Sequence, residues 1–398
     1  MNILFLTLID FSTIDEPGIY QDLLREFYKN GHSVYVISPV ERRRKQDTLI
    51  LTILKLRIGN TQKTNFLEKG ISTVCIEYQF IRGIKRYFAN VKFDAVIYST
   101  PPITFCNAIE FVRKRDRATT YLLLKDIFPQ NAVDIGIMTK QGLRGIIYRI
   151  FRAKEKKLYR ISDHIGCMSQ ANVNYILEHN PEIDPNIVEV CPNSVEVIDM
   201  SVEEEIRKDI RRTYKIPLDK KVFVYGGNLG RPQGINFMIE CLKSQEKNKE
   251  VFFLIVGDGT EFDKIEAYVH RDKPSNVRLM KRLPKEDYDK MVAACDVGMI
   301  FLDHRFTIPN FPSRLLSYMQ AKIPVLAVTD PNTDIGKVIV DGGFGWWCES
   351  NSLKGVNKQL QYILKADLST FKRKEYCCLK EHYSTNISYR IIMRAINH

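Results

Sequence analysis

Residues 222–239 read VFVYGGNLGRPQGINFMI, which is the order of an apolar strand, a glycine-rich loop and a helix. Glycines let backbone N–H groups come close to an anion, and the N-terminus of the following helix adds a partial positive charge. Arg231, within the loop, can donate two parallel hydrogen bonds to a phosphate. The stretch predicts a phosphate site in a parallel α/β sheet, and an ordinary strand-to-helix turn is the alternative.

A second stretch, Phe311–Met319, reads FPSRLLSYM and opens a helix after an irregular segment. Pro312 suits a first helical turn, and the N–H groups of Ser313, Arg314 and Leu315 would face an anion. In an open parallel sheet, ligands bind beyond the carboxyl ends of the strands, where both stretches fall. Two helix N-termini and two arginines together predict a diphosphate site, although helix capping alone would also explain the second stretch.

A third stretch, Lys125–Asn131, reads KDIFPQN and follows the apolar strand Tyr121–Leu124. Asp126, at the carboxyl end of that strand, can bind a sugar hydroxyl or stabilise positive charge that develops at an anomeric carbon. It is equally well placed to cap a helix.

Short β-branched and aromatic runs alternate with amphipathic stretches of helical length along the whole chain, which is typical of parallel sheets with crossover helices. In the first half we predict strands at Asn2–Leu8, Ser33–Ser38, Ser72–Ile76, Ala95–Ser99, Thr120–Leu124, His164–Met168 and Val188–Cys191. In the second half we predict strands at Val222–Tyr225, Val251–Val256, Val277–Met280, Val297–Phe301 and Pro324–Val328.

Two Rossmann-like, doubly wound domains are therefore expected, one over residues 1–198 and one over residues 199–382. The break falls near Cys191–Met200, where Pro192 and Asn193 end a strand. The last predicted helix, Thr385–Ile396, carries an apolar stripe that must be covered by another element.

The chain has 398 residues, a formal net charge of +12 and 44% hydrophobic residues, which excludes disordered and collagen-like chains. Its longest apolar stretches, such as Thr48–Leu54, are far shorter than the roughly 20 residues of a membrane-spanning helix. The nine cysteines have no paired C-x-x-C spacing and are expected to be thiols in a reducing cytoplasm. Met1–Leu8 is typical of a strand and not of a signal peptide.

Positive charge is concentrated in residues 42–160, which hold 25 lysines and arginines against 9 acidic residues. Within this segment, Lys140–Arg160 interleaves basic residues with an apolar series that begins at Leu143, which predicts a basic amphipathic helix. Arg42–Lys45 and Arg82–Arg86 are expected to extend the same patch. Such a helix lies on an anionic membrane, or it covers its own domain with its charges solvated.

We favour the membrane surface as the partner of this helix. The predicted contact residues are Arg144, Ile147, Arg149, Ile150, Phe151 and Lys154. Nucleic acid is not expected as a partner, because the sequence has no zinc finger, no aromatic RNA-binding signature and no clear helix-turn-helix.

The sequence lacks H-x-x-x-H, G-x-S-x-G and Walker A patterns, which argues against metalloproteases, serine hydrolases and P-loop ATPases. Asp287-Tyr288-Asp289 has the D-x-D spacing of some metal-diphosphate sites, but it lies in a predicted charged helix. We therefore expect neither a metal nor another cofactor.

Taken in this order, the motifs resemble retaining glycosyltransferases of family four, which have the GT-B architecture of two facing Rossmann-like domains. The resemblance covers nearly the whole chain and is closest to the capsule and O-antigen branch that includes N-acetylfucosaminyltransferases. Besides the three stretches above, it rests on Gly31–Val34, Cys191–Ser194, Val256–Gly259, Ala294–Gly298 and Gln320–Val325.

The resemblance implies a cytoplasmic enzyme, peripheral on the inner face of the cell membrane. Such an enzyme moves a sugar from a UDP-sugar to a polyprenyl-diphosphate-linked saccharide, with retention and without a metal. It also implies that the last helix, within residues 383–398, crosses back to the first domain.

The resemblance further assigns roles to individual residues. Asp126, Arg231 and Arg314 would be catalytic. Donor binding would fall to Gly18, Gly227, Asn228, Gly230, Arg231, Gln233, Leu283, Ser313, Arg314, Leu315 and Ser317.

This chain departs from the family pattern at three positions. Gln233 stands where many members have a lysine, and Pro309 and Ser317 stand where many have two glutamates. A catalytically degenerate scaffold of a capsule assembly complex is therefore one alternative to a transferase, and a sugar-nucleotide epimerase or phosphorylase is another.

Overall fold

The computed structural model describes residues 1–10, 13–41, 48–50, 52–58, 66–142 and 144–397. The chain forms two compact units. Unit 1 comprises Met1–Glu196 and Thr385–His398, and unit 2 comprises Val197–Ser384. From the sequence, the chain was predicted to pass from the first domain to the second after residue 198 and to return before residue 383.

The described part of unit 1 contains one sheet of eight strands. They are β1 (Asn2–Leu6), β2 (Ser33–Glu41), β3 (Thr48–Ile50), β4 (Ile53–Ile58), β5 (Ala95–Ser99), β6 (Thr119–Leu124), β7 (His164–Cys167) and β8 (Val188–Val190). Their order is β3-β4-β2-β1-β5-β6-β7-β8, and all neighbours are parallel except the pair β3 and β4. This is a doubly wound sheet, since the order reverses at β1.

Crossover helices connect these strands. They are α1 (Ile19–Lys29), α2 (Phe66–Tyr87), α3 (Cys106–Asp116), α4 (Gln130–Asp134), α5 (Arg144–Arg160) and α6 (Gln170–His179). In α1 the apolar residues Tyr20, Leu23, Leu24 and Phe27 are buried at helical spacing against the sheet. The helix ends before Gly31, whose positive φ turns the chain toward β2.

The described part of unit 2 contains one parallel sheet of six strands in the order β11-β10-β9-β12-β13-β14. They are β9 (Lys221–Asn228), β10 (Val251–Asp258), β11 (Val277–Lys281), β12 (Val297–Phe301), β13 (Val325–Thr329) and β14 (Gly345–Glu349). The helices are α7 (Glu204–Thr213), α8 (Ile235–Ser244), α9 (Phe262–Asp272), α10 (Lys285–Ala293), α11 (Arg314–Ala321), α12 (Ile335–Asp341), α13 (Leu353–Lys365) and α14 (Lys372–His382).

The last helix, α15 (Thr385–Asn397), belongs to unit 1 although it follows unit 2 in the chain. Its apolar residues Ile392, Ala395 and Ile396 pack in one cluster with Leu24 and Phe27 of α1. The expected return of the last helix to the first unit is confirmed. So is the fold class, because both units are Rossmann-like α/β structures.

One predicted strand is wrong. Ser72–Ile76, which contains the run Thr-Val-Cys-Ile, lies within α2. Ile76, Phe80 and Ile84 of that helix are buried at four-residue intervals, so helical burial outweighs the local β preference of the run. The sequence also missed β3, β4 and β14, of which β3 and β14 are edge strands and β4 lies between β3 and β2.

Candidate functional site

The candidate site of unit 2 lies where its strand order reverses. β9 has β10 on one side and β12 on the other, so the connections leave β9 and β12 in opposite directions. β12 pairs with β9 at its first two residues, Val297 and Gly298, and β9 continues to Asn228. Beyond these pairs the strands are free to diverge, which creates the crevice where doubly wound sheets bind ligands.

Tyr318 of α11 fills the base of this crevice. Its hydroxyl lies 3.0 Å from the carbonyl oxygen of Met299 and 3.3 Å from that of Val224, on either side of the gap. A Cβ on Gly298 would lie 2.4 Å from the Tyr318 ring, so this close approach requires glycine. The tyrosine therefore fixes α11 against the diverging strands.

The glycine-rich loop is shaped by close contacts on both sides. Gly226 lies against Tyr288 of α10, whose hydroxyl would be 1.8 Å from a Cβ at that position. Gly227 has a φ of 122°, which side-chain-bearing residues rarely adopt. Leu229 N–H donates to Asp258 O at 2.9 Å, so the loop is also tied to the end of β10.

Gln233 holds the loop from within. Its Oε1 accepts hydrogen bonds from Asn228 Nδ2 at 3.0 Å and from the Gly230 N–H at 3.1 Å, and the residue is buried. A lysine could not accept either bond. The loop residues predicted to bind a donor are thus brought together, but the Gln233 oxygen is directed into the loop.

Arg314 joins the two phosphate stretches. Its guanidinium carbon lies 4.3 Å from the centre of the Tyr225 ring, and its Nη2 would lie 3.5 Å from a Cβ on Gly227. The Tyr225 hydroxyl donates to Asn228 O at 2.6 Å, which fixes the ring beneath the arginine. Nη1 of Arg314 is buried and has no hydrogen-bond partner among the described residues. An orphan cationic donor of this kind requires an acceptor from a ligand or water.

Arg231 lies on the outer side of the loop, in the 3-10 turn Arg231–Gln233. Its side chain is 53% exposed, and its Nε is 3.8 Å from Glu261 Oε1. Glu261 also accepts from Lys264 at 2.9 Å. Because its contact with Glu261 is long and exposed, Arg231 is available to a ligand.

The loop after β12 adds two residues that sequence reasoning missed. Asp303 N–H donates to Pro232 O at 2.9 Å, so this loop packs directly on the Arg231–Gln233 turn. Arg305 makes a bidentate pair with the Asp303 carboxylate, with distances of 2.9 and 2.8 Å. The signal was present in the sequence, because the charged run Asp303–Arg305 directly follows the apolar strand.

Helix α11 begins at the same edge without a side-chain cap at Ser313. Ser313 is exposed and Ser317 lies one turn further along the helix. Leu315 has a buried side chain, and its N–H bonds to Pro312 O at 3.3 Å, so the first turn leaves the earlier amides for a ligand. Leu283 lies in the loop between β11 and α10.

In unit 1, Asp126 occupies the predicted position after β6. Its Oδ1 accepts from Asn131 Nδ2 at 2.7 Å, and its N–H donates to Thr100 Oγ1 at 3.1 Å. Burial raises the pKa of this carboxyl from 3.8 to about 6, although the bond from Asn131 opposes the shift. Asp126 does not cap α4, whose N-cap is Pro129 without a side-chain hydrogen bond; its carboxylate contacts the Asn131 side chain instead.

Gly18 lies just before α1 in the same unit. Its N–H donates to Asp22 Oδ1 at 3.1 Å, and its carbonyl accepts from the Asp22 N–H at 2.7 Å. A Cβ here would lie 2.4 Å from Gln21 Oε1, so a side chain would displace Gln21. Gly18 thus lets the loop close tightly on the N-terminus of α1.

The basic helix of the sequence is α5, and two of its predicted contact residues, Arg149 and Ile150, are exposed. Ile146 and Ile150 are 45% and 54% exposed, and Arg149 is exposed beside them. Ile147 and Lys154 are partly buried, and Phe151 packs edge-to-face on Phe128 with centroids 5.1 Å apart. Residues 146 and 150 share the outer face of the helix, while Phe151 is turned toward Phe128.

Arg82, Lys85 and Arg86, which were predicted to extend the basic patch, are exposed on α2. Leu143 and Arg42–Lys45 lie outside the described residues, and so does the side chain of Arg144. Among the described helices, none combines the length and apolar character that crossing a membrane requires.

Comparisons with known proteins agree with this geometry. Residues 206–377, nearly all of unit 2, match the family model described as glycosyl transferases group 1. The chain is 26% identical over 337 residues to WbjE of Pseudomonas aeruginosa, named as a glycosyltransferase, covering 83% of this chain and 81% of WbjE. It is 22% identical over 253 residues to the colanic acid biosynthesis glycosyl transferase WcaI of Escherichia coli, covering 62% and 60% of the two chains.

Solved structures share the fold across the whole chain. WaaG, a glycosyltransferase involved in lipopolysaccharide biosynthesis, is 14% identical with a TM-score of 0.67, covering 98% of both chains. HepE of Anabaena, solved in complex with UDP, is 14% identical with a TM-score of 0.69, covering 100% of both. Sucrose-phosphate synthase of Thermosynechococcus elongatus is 13% identical with a TM-score of 0.76, covering 99% and 97%.

Proposed function

We propose that this chain, a glycosyltransferase of group 1 with a GT-B fold, transfers a sugar from a UDP-sugar to a polyprenyl-diphosphate-linked saccharide, with retention, in capsule or O-antigen biosynthesis. The observation that carries the proposal is Arg314 at the reversal of the unit 2 sheet, whose Nη2 lies beside Gly227 and whose buried Nη1 has no hydrogen-bond partner among the described residues. A cationic donor that lacks an acceptor, set against a backbone with no side chain, suits a diphosphate oxygen.

The chemistry follows from where negative charge grows. When the bond between the anomeric carbon and the diphosphate breaks, charge develops on the departing phosphate oxygens. Arg314 and Arg231 would stabilise that charge from two sides of the loop, and the first amides of α11 would add partial positive charge. In a front-face mechanism the leaving phosphate takes the acceptor proton, so the proposal needs neither a side-chain base nor a metal.

UDP is proposed as the nucleotide because HepE, which shares the fold, was solved with UDP. An N-acetylfucosamine-type sugar is proposed from the resemblance of the motifs. A role in polysaccharide synthesis is supported by the name of WcaI, a colanic acid biosynthesis enzyme. The lipid-linked acceptor and a peripheral position on the inner face of the cell membrane are supported by the exposed isoleucines and Arg149 of α5.

The test is isothermal titration of the protein with UDP, GDP and dTDP at low salt. We expect selective binding of UDP and at least a tenfold loss of affinity in Arg231→Ala. Lys354→Ala serves as the matched control, because Lys354 is an exposed cation on α13. Equal binding of all three nucleotides, or unchanged affinity in Arg231→Ala, would overturn the assignment.

The same titration separates the scaffold alternative from the transferase. A degenerate scaffold would bind none of the three nucleotides, and the serine and proline at positions 317 and 309 would then explain the loss. An epimerase or phosphorylase would bind a nucleotide or phosphate but would have no use for a membrane-facing helix.

A further inference from the structure

Glu261, at the start of α9, is an acidic residue that lies against the glycine-rich loop of unit 2. Its N–H donates to Leu229 O at 2.9 Å, which ties the start of α9 to the loop. A Cβ on Gly259 would lie 2.5 Å from the same carbonyl oxygen, so this close approach requires glycine. The Glu261 side chain is only 12% exposed, and it does not cap its own helix. The function proposed above assigns it no role.

Two cations share one oxygen of the Glu261 carboxylate. Lys264 Nζ donates to Oε1 at 2.9 Å, whereas Arg231 Nε lies 3.8 Å from the same atom. The second distance is too long for a hydrogen bond, so Arg231 feels the carboxylate through charge alone. Arg305, on which Glu261 also acts, already has a bidentate partner in Asp303. Lys264 and Arg231 therefore compete for Glu261.

Arg231 faces Glu261 through Nε and not through its fork. Neither Nη atom of Arg231 donates to another residue in the described part of the chain, so both stay open to a diphosphate. Glu261 and a diphosphate are both anions, and two anions near one guanidinium repel each other. The carboxylate thus weakens diphosphate binding. Lys264 limits this effect because it neutralises the oxygen that Arg231 would otherwise approach.

We infer that Glu261 is a positioning residue that competes with the diphosphate for Arg231 and so promotes the release of UDP. The inference rests on the proposed function, because it takes Arg231 as a ligand of the diphosphate. Once the sugar has left, the terminal phosphate of UDP carries more negative charge than it does in the donor. Arginines alone would therefore hold the product more tightly than the donor, and a fixed carboxylate beside one of them opposes that difference.

The test is isothermal titration with UDP of Glu261→Gln, Lys264→Met and the double variant at about 0.15 M salt, which screens distant charges. Glu261→Gln should bind UDP about fivefold more tightly than the wild type, and Lys264→Met about fivefold more weakly, as expected for a partly exposed ion pair. The double variant should bind like Glu261→Gln, because Lys264 acts through Glu261. Asp263→Asn, which removes an exposed carboxylate from the first turn of α9, is the matched control and should bind like the wild type.

Three results would overturn the inference. Additive effects in the double variant would mean that Lys264 acts on UDP directly. Equal gains in Glu261→Gln and Asp263→Asn would mean that net charge alone matters. A lower melting temperature in Glu261→Gln with wild-type UDP affinity would mean that the carboxylate only stabilises the start of α9.

A further variant tests whether Glu261 acts through the arginine. In an Arg231→Ala background, Glu261→Gln should leave the remaining UDP affinity nearly unchanged, because the cation on which it acts is gone. A fivefold gain that persists in this background would contradict the competition for Arg231.

Failure of this inference can be told apart from failure of the proposed function by repeating the titrations with inorganic pyrophosphate. The same non-additive effects on pyrophosphate, in a protein that does not bind UDP, would support the role of Glu261 and reject the nucleotide. Selective UDP binding with additive effects would do the reverse. Absence of binding to both probes would overturn both.

Discussion

Charged side chains at the carboxyl edges of the two sheets differ in the partners that surround them. In unit 2, Arg305 is paired with Asp303, Arg231 lies beside Glu261, and Arg314 stacks on Tyr225. In unit 1, Lys125 has thiols as its ionisable neighbours, and the Asp126 carboxyl is buried enough that its pKa rises to about 6. One edge holds its cations in fixed positions, while the other leaves single charges uncompensated.

The difference indicates which kind of ligand each edge is suited to bind. An arginine held by an aromatic ring and a backbone turn loses little entropy when an anion arrives, so the unit 2 edge is preorganised for a multiply charged group. At the unit 1 edge, by contrast, single ionisable groups carry an unfavourable free energy of desolvation. Removing an arginine should therefore cost ligand affinity in unit 2, and removing a charge should raise stability in unit 1.

The largest effect is expected at Arg314. Replacing it with Met should weaken UDP binding about 100-fold, because charge-assisted hydrogen bonds to a phosphate and the stacked cation are lost together. Arg314→Lys keeps the charge but lacks the planar fork, so it should lose about tenfold. Isothermal titration with UDP measures both; wild-type affinity in Arg314→Lys would show that charge alone matters, and equal affinity in the two variants would show that the charge contributes nothing.

Glu375 tests whether ionisable groups of unit 2 that lie away from the sheet edge also have stabilising partners. This α14 residue is completely buried, both its carboxyl oxygens lack partners among the described residues, and burial raises its pKa well above 4.5. The folded state thus favours the protonated form, so the free energy of unfolding should fall as pH rises above 4.5. Glu375→Gln removes that loss and should be more stable by about 2 kcal/mol at pH 8, with little change near pH 5.

Urea unfolding of both proteins between pH 5 and pH 8 measures this difference. A stability gain in Glu375→Gln that is the same at every pH would contradict a titrating carboxyl. Glu381→Gln, on the exposed side of the same helix, is the control and should change stability little.

Asp126 tests, at the unit 1 edge, the same loss of stability on ionisation of a carboxyl whose pKa is raised by burial. Its folded pKa of about 6 lies above the ordinary 3.8, so wild-type stability should fall as pH rises from about 4 to 6 and then level off. Asp126→Asn keeps an acceptor for Asn131 and should be more stable by about 1–2 kcal/mol above pH 6. Thermal unfolding across this range measures the gain. If Asp126→Asn is less stable than the wild type at pH 7, the carboxylate has a favourable partner and the contrast with unit 2 fails.

The sequence predicted most of what lies near the switch points of the sheets. The loop from Tyr225 to Gly234 and the helix start at Pro312 were both identified. Glycine and proline mark the ends of strands and the starts of helices through local backbone preferences, which do not depend on distant contacts. The structure then places Gly227 and Arg314 side by side. That pairing depended on sheet order, which a linear pattern does not contain.

Features set by distant contacts were not predictable. The run Ser72–Ile76 has local β preference, but it lies in a helix whose later residues Ile76 and Phe80 are buried on one face. Gln233 looked like a substitute for a ligand-binding lysine, whereas its oxygen holds the loop. Lys125 and Asn193 are far apart in sequence and line one pocket only in the fold.

The smallest effect is expected on the outer face of α5, where charge is neither preorganised nor buried. Arg149 is exposed between Ile146 and Ile150 and has ordinary access to solvent, so its removal should leave stability unchanged. On anionic vesicles each basic residue near the surface contributes about 1 kcal/mol, so Arg149→Ala should bind about fivefold more weakly in sedimentation at low salt. Raising the salt should shrink the difference, because exposed charges are screened. Lys114→Ala carries the same charge change on α3 and should bind like the wild type. Equal losses in the two variants would mean that net charge, and not the α5 face, governs attachment.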